Sequence, residues 1–509
     1  GRCFTMFVAE TARPISLAET TRCRAIQVSR PNSPPGSDEG RLMELQLAKT
    51  FTDFGQRVVP RPGSVVASTR LATWDPEPDY FFHWLRDSAW IMGAATALVV
   101  ERGAATPWVR RFENFVRFSL DLTRLDGRKA ASTWDDSAVA PKVRKFLRPP
   151  EDLAKVHGAA VDGEVRFNPD GTLDRQLWAR PQHDGPALRA LAVDRHLRQI
   201  HHLRPRPHGS LAEQAMQRLL WHDVRSVLAQ ARAQGYDLWE ERLGRHYDTC
   251  LVQCAALRLG QGLAEAEGLS EFGQACAAEA TALLEELGGL WSAQDGHYLA
   301  HGIGQSNDNP AHGRGNDLDM AAILAVLHVE FPEGPHSVLD PRVQATVGRL
   351  EAHYRQAFAI PPDSAGFAAG RYPGDVYAGG GAWYITTFAA AEFHYKLAEL
   401  AAAGGALRRV SENRDFLDEL LGAETGVLFD ETGALAAEGR RRVWGRAFAK
   451  GDAILAFARK TVGTEGQLSE QFDPATGQQT SAKDLAWSHA AFLSMASARD
   501  RARVIDSSL

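Results

Sequence analysis

Two segments of this chain, 81–102 and 382–403, are apolar nearly all the way round a helix. A helix with no polar face has to be covered on every side. Around these two, the sequence keeps a helical period almost throughout, broken by Gly and Pro. The pattern predicts helices over 41–56, 81–102, 106–124, 185–202, 210–232, 247–266, 270–287, 317–330, 341–357, 382–403, 444–461 and 481–501. Ser210 and Glu213 form a capping box at the start of one of them. A dozen helices with no βαβ alternation define an all-α domain. No short repeat is visible, which argues against a strict solenoid. Apolar helices wrapped by more amphipathic ones give two concentric layers, and a large irregular bundle is the alternative. Residues 125–184 and 288–316 read as loops, and residues 1–40, with PNSPPGSDEG at 31–40, as a flexible lead-in.

Composition removes several function classes. At 44% hydrophobic and 24% charged residues, the chain can bury a core and is not disordered along its length. A net charge of −6 argues against nucleic acid as the main partner, since phosphate binding needs a basic surface. Five cysteines, Cys3, Cys23, Cys250, Cys254 and Cys276, are too sparse for a disulfide framework. Cys250 and Cys254 share a helix face as small core residues, and no zinc-type ligand cluster occurs. The apolar run at 81–100 contains Arg86 and Asp87, which are expensive in a bilayer, so no membrane partner is expected. No secretory signal is visible, because the apolar stretch 3–9 is too short. The chain therefore reads as cytoplasmic, although its start at Gly1 leaves export open.

The P-loop, the dinucleotide-binding GxGxxG, HExxH and GxSxG are missing. The run AHGRGNDLDM at 311–320 does not have EF-hand spacing. His196, His201, His202 and His208 read as a solvated, slightly basic face. Five other segments set charged residues among Trp, Tyr and Gly. A sugar offers apolar CH faces to aromatic rings and a fringe of hydroxyls to arginines and carboxylates. Charges inside apolar segments must be paired or bonded.

In YFFHWLRDSAW, Arg86 and Asp87 point about 100° apart on a helix, so each needs its own partner, a buried residue or a ligand. In WARPQHDGPALR, Trp178, Arg180 and Asp184 precede a helix whose start Asp184 can cap. In GYDLWEERLG, the pair Glu240 and Glu241 sits beside Trp239 and Tyr236. An apolar wall there would raise a glutamate pKa and suit a general acid, whereas Glu285 and Glu286 read as a solvated face. In GRYPGDVYAGGGAWY, Arg371, Asp375 and Trp383 flank glycines 379–381, which allow close approach to a ligand or make a plain turn. Finally, Glu470 lies in a loop before the last helix, which Ser481 and Asp484 can cap.

Taken together, RPQHDGPALRA, GYDLWEE, GRYPGDVY and SEQFDPATGQQTSAKDLAWS resemble, in order and spacing, the glucoamylases, family 15 of the glycoside hydrolases. The resemblance runs from about Gly63 to about Leu493 and implies an (α/α)6 barrel, six inner helices inside six outer ones. It further implies removal of glucose from the non-reducing end of α-glucans with inversion to β-glucose. By motif, Glu240 matches the general acid and Glu470 the general base. Tyr80 matches a tyrosine that helps hold the base and its water, and Ser481 a serine beside the base. Arg86, Asp87 and Arg371 match residues that grip the terminal glucose. Trp178, Trp239 and Trp383 match aromatics near the pocket, and Leu238 contributes its carbonyl. Glu241 and Arg180 match supports just beyond the scissile bond.

Departures bear on the leaving-group side. Gly374 stands where the family usually has Glu, Ala382 where Pro is common, and His83 and Leu85 where threonine is frequent. Arg242, Arg245 and His246 add charge after the Glu pair. Chain-length preference and the choice between α-1,4 and α-1,6 linkages therefore stay open. The expected partner is an α-glucan or oligosaccharide. Soluble oligosaccharide is preferred to granular starch because no starch-binding module is seen. Isomaltose-type sugars, dextran or trehalose form a second enzyme reading, and a non-catalytic glucan-binding regulatory subunit a third. No metal or organic cofactor is expected, since two carboxylates and water suffice, and a monomer is expected. Tyr80 and Glu470 would have to meet across almost the whole sequence, so residues 41–509 are read as one domain, against a length prior of about three.

Overall fold

The computed structural model describes residues 56–69, 78–103, 106–137, 139–203, 209–302, 317–464 and 466–506, with the short segments 5–6, 15–16 and 49–51. Eleven long helices are labelled here in chain order: α1 Leu85–Arg102, α2 Pro107–Leu122, α3 Gly185–Leu203, α4 Leu211–Gln230, α5 Tyr247–Glu267, α6 Ser270–Gly289, α7 Met320–Val329, α8 Pro341–Ala357, α9 Tyr384–Ala402, α10 Arg440–Arg459 and α11 Ala486–Asp506. The odd-numbered helices close a ring. α1 packs on α3, α3 on α5, α5 on α7, α7 on α9, α9 on α11, and α11 returns to α1. The even-numbered helices lie outside it: α2 on α1, α4 on α3 and α5, α6 on α5, α8 on α7, and α10 on α9 and α11. This is the expected all-α (α/α)6 barrel, with all six inner helices and five long outer ones among the described residues.

The layers follow from the side chains. Every residue of α7, MAAILAVLHV, is buried, and α9 is buried along nearly all its length. By contrast, α2 buries one stripe: Trp108, Val109, Phe112, Phe115, Val116, Phe118 and Leu122. Three of these helix starts carry side-chain caps. Asp319 accepts the Ala321 N–H, Asp340 that of Arg342, and Ser210 that of Glu213. The capping box differs in one detail, since Glu213 reaches back to the Gly209 N–H rather than that of Ser210. Gly185 opens α3 where a Cβ would stand 2.6 Å from Leu85 Cβ, so the closest approach of α1 and α3 requires a glycine.

Several expectations change. Within 41–56, residues Lys49–Phe51 form a strand paired with Gln56–Val58, and the rest lies outside the described residues. Of the 1–40 lead-in, only the antiparallel pair Thr5–Met6 and Ile15–Ser16 is described. A further helix, Arg414–Leu421, has no counterpart in the expected set. His196 is not solvated: it is buried, stacked 3.6 Å from the ring of Phe112 and bonded to Thr96. His208 lies outside the described residues. Cys250, Cys254 and Cys276 are free and buried. No helix among the described residues is long and apolar enough to cross a membrane.

Candidate active site

Short strand pairs at the N-terminal end of the inner ring place the chemistry-bearing residues. His83–Trp84 pairs with Arg166–Phe167 just before α1. Gly235–Tyr236 pairs with Leu243–Gly244, so GYDLWEERLG folds as a hairpin with Glu240 near its tip. Asp237 fastens that tip: its Oδ1 accepts the N–H groups of Glu241 (2.7 Å) and Arg242 (2.9 Å), and its carbonyl that of Glu240. Glu240 itself adopts φ 66°, a left-handed conformation that costs free energy in a non-glycine residue. Ala382–Trp383 pairs with Gln471–Phe472, which pairs onward with Gln479–Thr480. That three-stranded ribbon sets Glu470 against the start of α9, where the Tyr384 N–H reaches its carbonyl.

These loops enclose a cavity of about 390 Å³. Among its walls are eleven of the residues singled out in the sequence: Tyr80, Arg86, Asp87, Trp178, Leu238, Trp239, Glu240, Glu241, Arg371, Trp383 and Glu470. Two others stand behind the wall. Ser481, at φ 61°, gives its hydroxyl to Glu470 Oε2 instead of capping α11, which starts later at Ala486. Arg180 bonds Glu164 (2.8 Å), Asp174 (2.8 Å) and the Gln176 carbonyl, and does not line the cavity. A larger cavity, about 750 Å³, lies along the later turns of the inner helices. Its carboxylates Glu330 and Glu392 pair with Lys396, and Glu399 with Arg501. It gathers none of the residues to which the sequence assigned a role in catalysis or sugar binding.

Glu240 is gripped by donors. Its Oε1 accepts from Trp84 Nε1 (2.9 Å), Arg86 Nη2 (3.1 Å) and Gln182 Nε2 (3.2 Å). Its Oε2 accepts from Trp178 Nε1 alone among the described residues (2.5 Å). Glu470 is 4% exposed, and burial pushes its carboxyl up to about 7 against the pull of the Ser481 hydroxyl and Arg371. Burial likewise raises Asp87 to about 7, although Arg86 works the other way. Arg86 is buried too, yet Asp184, Asp87 and Glu240 hold its proton more tightly than usual. Arg86 and Asp87 thus do interact, at 3.5 Å, but Arg86 Nε and Asp87 Oδ2 keep no hydrogen-bond partner among the described residues. Asp184 is more than a cap, since it takes Arg86 Nη1 at 3.2 Å.

Across the cavity, Arg371 forms a two-bond pair with Asp375 (2.8 and 2.7 Å) and reaches Glu241 at 2.9 Å. Its guanidinium lies 5.4 Å from the Trp239 ring and 5.1 Å from that of Trp383. Trp239 is fixed by its N–H to both oxygens of Asp319 (2.9 and 3.0 Å). Tyr80 and Tyr377 share a hydroxyl–hydroxyl bond of 2.9 Å. Sequence reasoning missed Trp84, Gln182, Tyr377 and Trp487. All four sit inside the quoted motifs, where an aromatic or amide next to an assigned residue was the available signal.

Other assignments shift. Arg245 makes a double bond pair with Glu286 (2.7 and 2.6 Å), so Glu286 is no plain solvated carboxylate. His246 is buried against His301 (2.8 Å) and the Gly235 carbonyl. Neither lines the cavity. Gly379 and Gly380 serve a turn (φ 92° and 66°), where a Cβ on Gly380 would meet the Asp375 carbonyl at 2.3 Å. Gly374 faces open space at φ 82°. Among the described residues no group of three or more His, Cys, Asp and Glu could hold a metal ion.

Comparison with known proteins points the same way. A glucoamylase of Saccharomycopsis fibuligera is 27% identical over 473 residues, 87% of this chain and 85% of the relative. An intracellular, sporulation-specific glucoamylase of Saccharomyces cerevisiae is 27% identical over 493 residues, 88% of this chain and 81% of the relative. The solved structure of a Saccharomycopsis fibuligera glucoamylase superposes with a TM-score of 0.72 at 25% identity, covering 87% of this chain and 90% of that one. The profile of glycosyl hydrolases family 15 matches residues 44–497, and the chain belongs to that family of glycoside hydrolases.

Proposed function

We propose that the protein is an exo-acting, inverting α-glucosidase that releases β-glucose from the non-reducing ends of α-1,4-glucans and maltooligosaccharides. The observation that carries this reading is one pocket holding two carboxylates in contrasting environments. Glu240 is surrounded by donors, and Glu470 is sealed beside Ser481. A pocket rather than a through-going cleft suits attack at a chain end.

In this reading Glu240 is the general acid. Three donors occupy Oε1 and one occupies Oε2, so Oε2 keeps a lone pair for the proton passed to the glycosidic oxygen. As the proton leaves, all four donors meet the developing carboxylate, and that stabilisation grows in the transition state. Glu470 is the general base. Ser481 fixes one of its oxygens, leaving the other to take a proton from water on the far face of the ring. Inversion needs room for that water, with carboxyl groups roughly 6.5–9.5 Å apart.

The terminal glucose would complete the unpaired Arg86 Nε and Asp87 Oδ2 with its hydroxyls and stack its CH faces on Trp239, Trp383 and Trp487. Arg371 and Glu241, tied to one another, lie where a second sugar unit would follow. Because Arg245 and His246 are engaged elsewhere, the charge they add after the Glu pair is withdrawn from the pocket and gives no support to the α-1,6 reading. Both carboxylates are present, which favours an enzyme over a glucan-binding regulatory protein. Comparing kcat/KM on maltose, maltoheptaose, isomaltose and trehalose tests the substrate. Maltooligosaccharides should lead, and preference for isomaltose or trehalose would replace this reading with the second one.

A further inference from the structure

Arg166 is fully buried and is not among the residues that line the candidate active-site cavity. Its Nε bonds Asp174 (2.7 Å) and its Nη2 bonds Gln176 (3.2 Å), while Nη1 has no hydrogen-bond partner among the described residues. That face of the guanidinium is given to aromatic rings instead. Cζ stands 3.6 Å from the centre of Trp178, 4.1 Å from that of Phe82 and 5.1 Å from that of Trp84. Trp84 and Trp178 are the two indoles whose N–H groups hold the two oxygens of Glu240. The pairing of His83–Trp84 with Arg166–Phe167 locks this stack to the start of α1.

We propose that Arg166 is a positioning residue for the general acid: sealed behind Trp84 and Trp178, its guanidinium aligns both indoles and strengthens their grip on Glu240. The proposal rests on Glu240 acting as the acid. Two physical effects combine. A planar guanidinium under an indole face fixes the ring's tilt, which an apolar side chain of similar volume would not do. The cation also draws electron density from the rings, so their N–H groups become better donors to the carboxylate. Burying an ion pair is a poor way to gain stability, and Asp174 already has a second cation in Arg180. A fold that only needed filling here could use an aliphatic residue.

The other titratable and charged groups that interact with Glu240 are Tyr80, Arg86 and Asp87 at or just before the start of α1 and Glu470 from the ribbon before α11, with Asp184 paired to Arg86. Behind the indoles stand Asp174 and Arg180. Substituting Arg166 leaves all of these in place. Losing a cation near a carboxylate raises the proton affinity of that carboxylate. In Arg166→Met, therefore, the basic limb of the kcat/KM profile on maltotriose should move up by about 0.5–1 pH unit. Looser indoles should also lower kcat on maltotriose by about 10–100-fold. Hydrolysis of α-glucosyl fluoride, whose leaving group needs little help from an acid, should stay within about threefold. Arg166→Lys keeps the charge but not the flat stack, so its limb should stay near the wild-type position while kcat on maltotriose falls. It also keeps the test decisive if the Met variant does not fold.

Equal losses on both substrates, or an unmoved limb in a folded Met variant, would overturn the proposal. So would a Lys variant with wild-type kcat. Measuring Glu240→Gln alongside separates the two possible failures. An active Glu240→Gln removes the reading of Glu240 and this proposal with it, whereas an inactive one beside an unmoved Arg166→Met limb removes the proposal alone.

Discussion

Replacing Glu240 with Gln changes one heavy atom and removes the acidic proton. The Gln oxygen can take the place of Oε1 and keep the three donors there, Trp84, Arg86 and Gln182. Its amide nitrogen then falls at Oε2, donor against donor with the Trp178 N–H, 2.5 Å away in the wild type. Leaving that indole unsatisfied costs about 1–3 kcal/mol, mainly as stability. The catalytic loss is separate. Without a proton for the glycosidic oxygen, kcat on maltotriose should fall about 10²–10⁴-fold, or about 3–5 kcal/mol of transition-state stabilisation. KM should change much less, because Gln fills the same space. Initial rates of glucose release from maltotriose, set beside α-glucosyl fluoride, isolate the effect. Fluoride departs without full protonation, so Glu240→Gln should retain most activity on that substrate. Near-normal turnover of maltotriose, or an equal loss on both substrates, would refute the assignment of the acid.

Glu470 must be ionised to act as a base, and burial raises its carboxyl to about 7, so kcat/KM should fall about tenfold per pH unit below that value. An acid limb at an ordinary glutamate value near 4.5 would contradict this, and Glu470→Ala should be rescued by azide as β-glucosyl azide. Glu351, buried between His394 (2.6 Å) and Lys450 (2.9 Å), has its carboxyl held down to about 2, with burial opposed by its bonds to those two residues. Its contribution to stability is present above the unfolded value near 4.5 and is lost as pH falls toward 2. Urea titrations of Glu351→Gln should show a loss of about 3–5 kcal/mol at pH 7 and a shallower acid slope, with kcat unchanged. Gly185→Ala forces a Cβ to within 2.6 Å of Leu85 Cβ and should cost about 1–3 kcal/mol. Thermal melts and KM would register the shift of α1, which carries Arg86.

How much of this could be read from the sequence depends on the range of the interaction. The inner helices were legible because complete burial leaves a local trace, as in MAAILAVLHV at α7. Helix starts were placed too early at 81 and 382 because His83–Trp84 and Ala382–Trp383 are strands. Their partners lie near Arg166 and Gln471, and so distant a pairing imposes no local pattern. Ser481 and Asp484 have the look of a cap, but both carry positive φ and precede the helix. In the pocket, motifs pointed to the carboxylates, the arginines and the donors Trp178 and Ser481, while the donors Trp84 and Gln182 were missed. Trp84 lies two positions before Arg86, yet nothing in HWLRD says that its N–H meets Glu240. Arg245 and His246 mislead in the other direction, because charge near a motif does not reveal whether it is already paired.

Stereochemistry tests the central claim most directly. Proton NMR of the first products formed from maltotriose, recorded before mutarotation, reports which anomer is released. A general acid at Glu240 and a water activated by Glu470 on the opposite face predict β-glucose first, with the α-anomer growing in afterwards. Initial release of α-glucose, or no release of glucose by the pure protein, would contradict it.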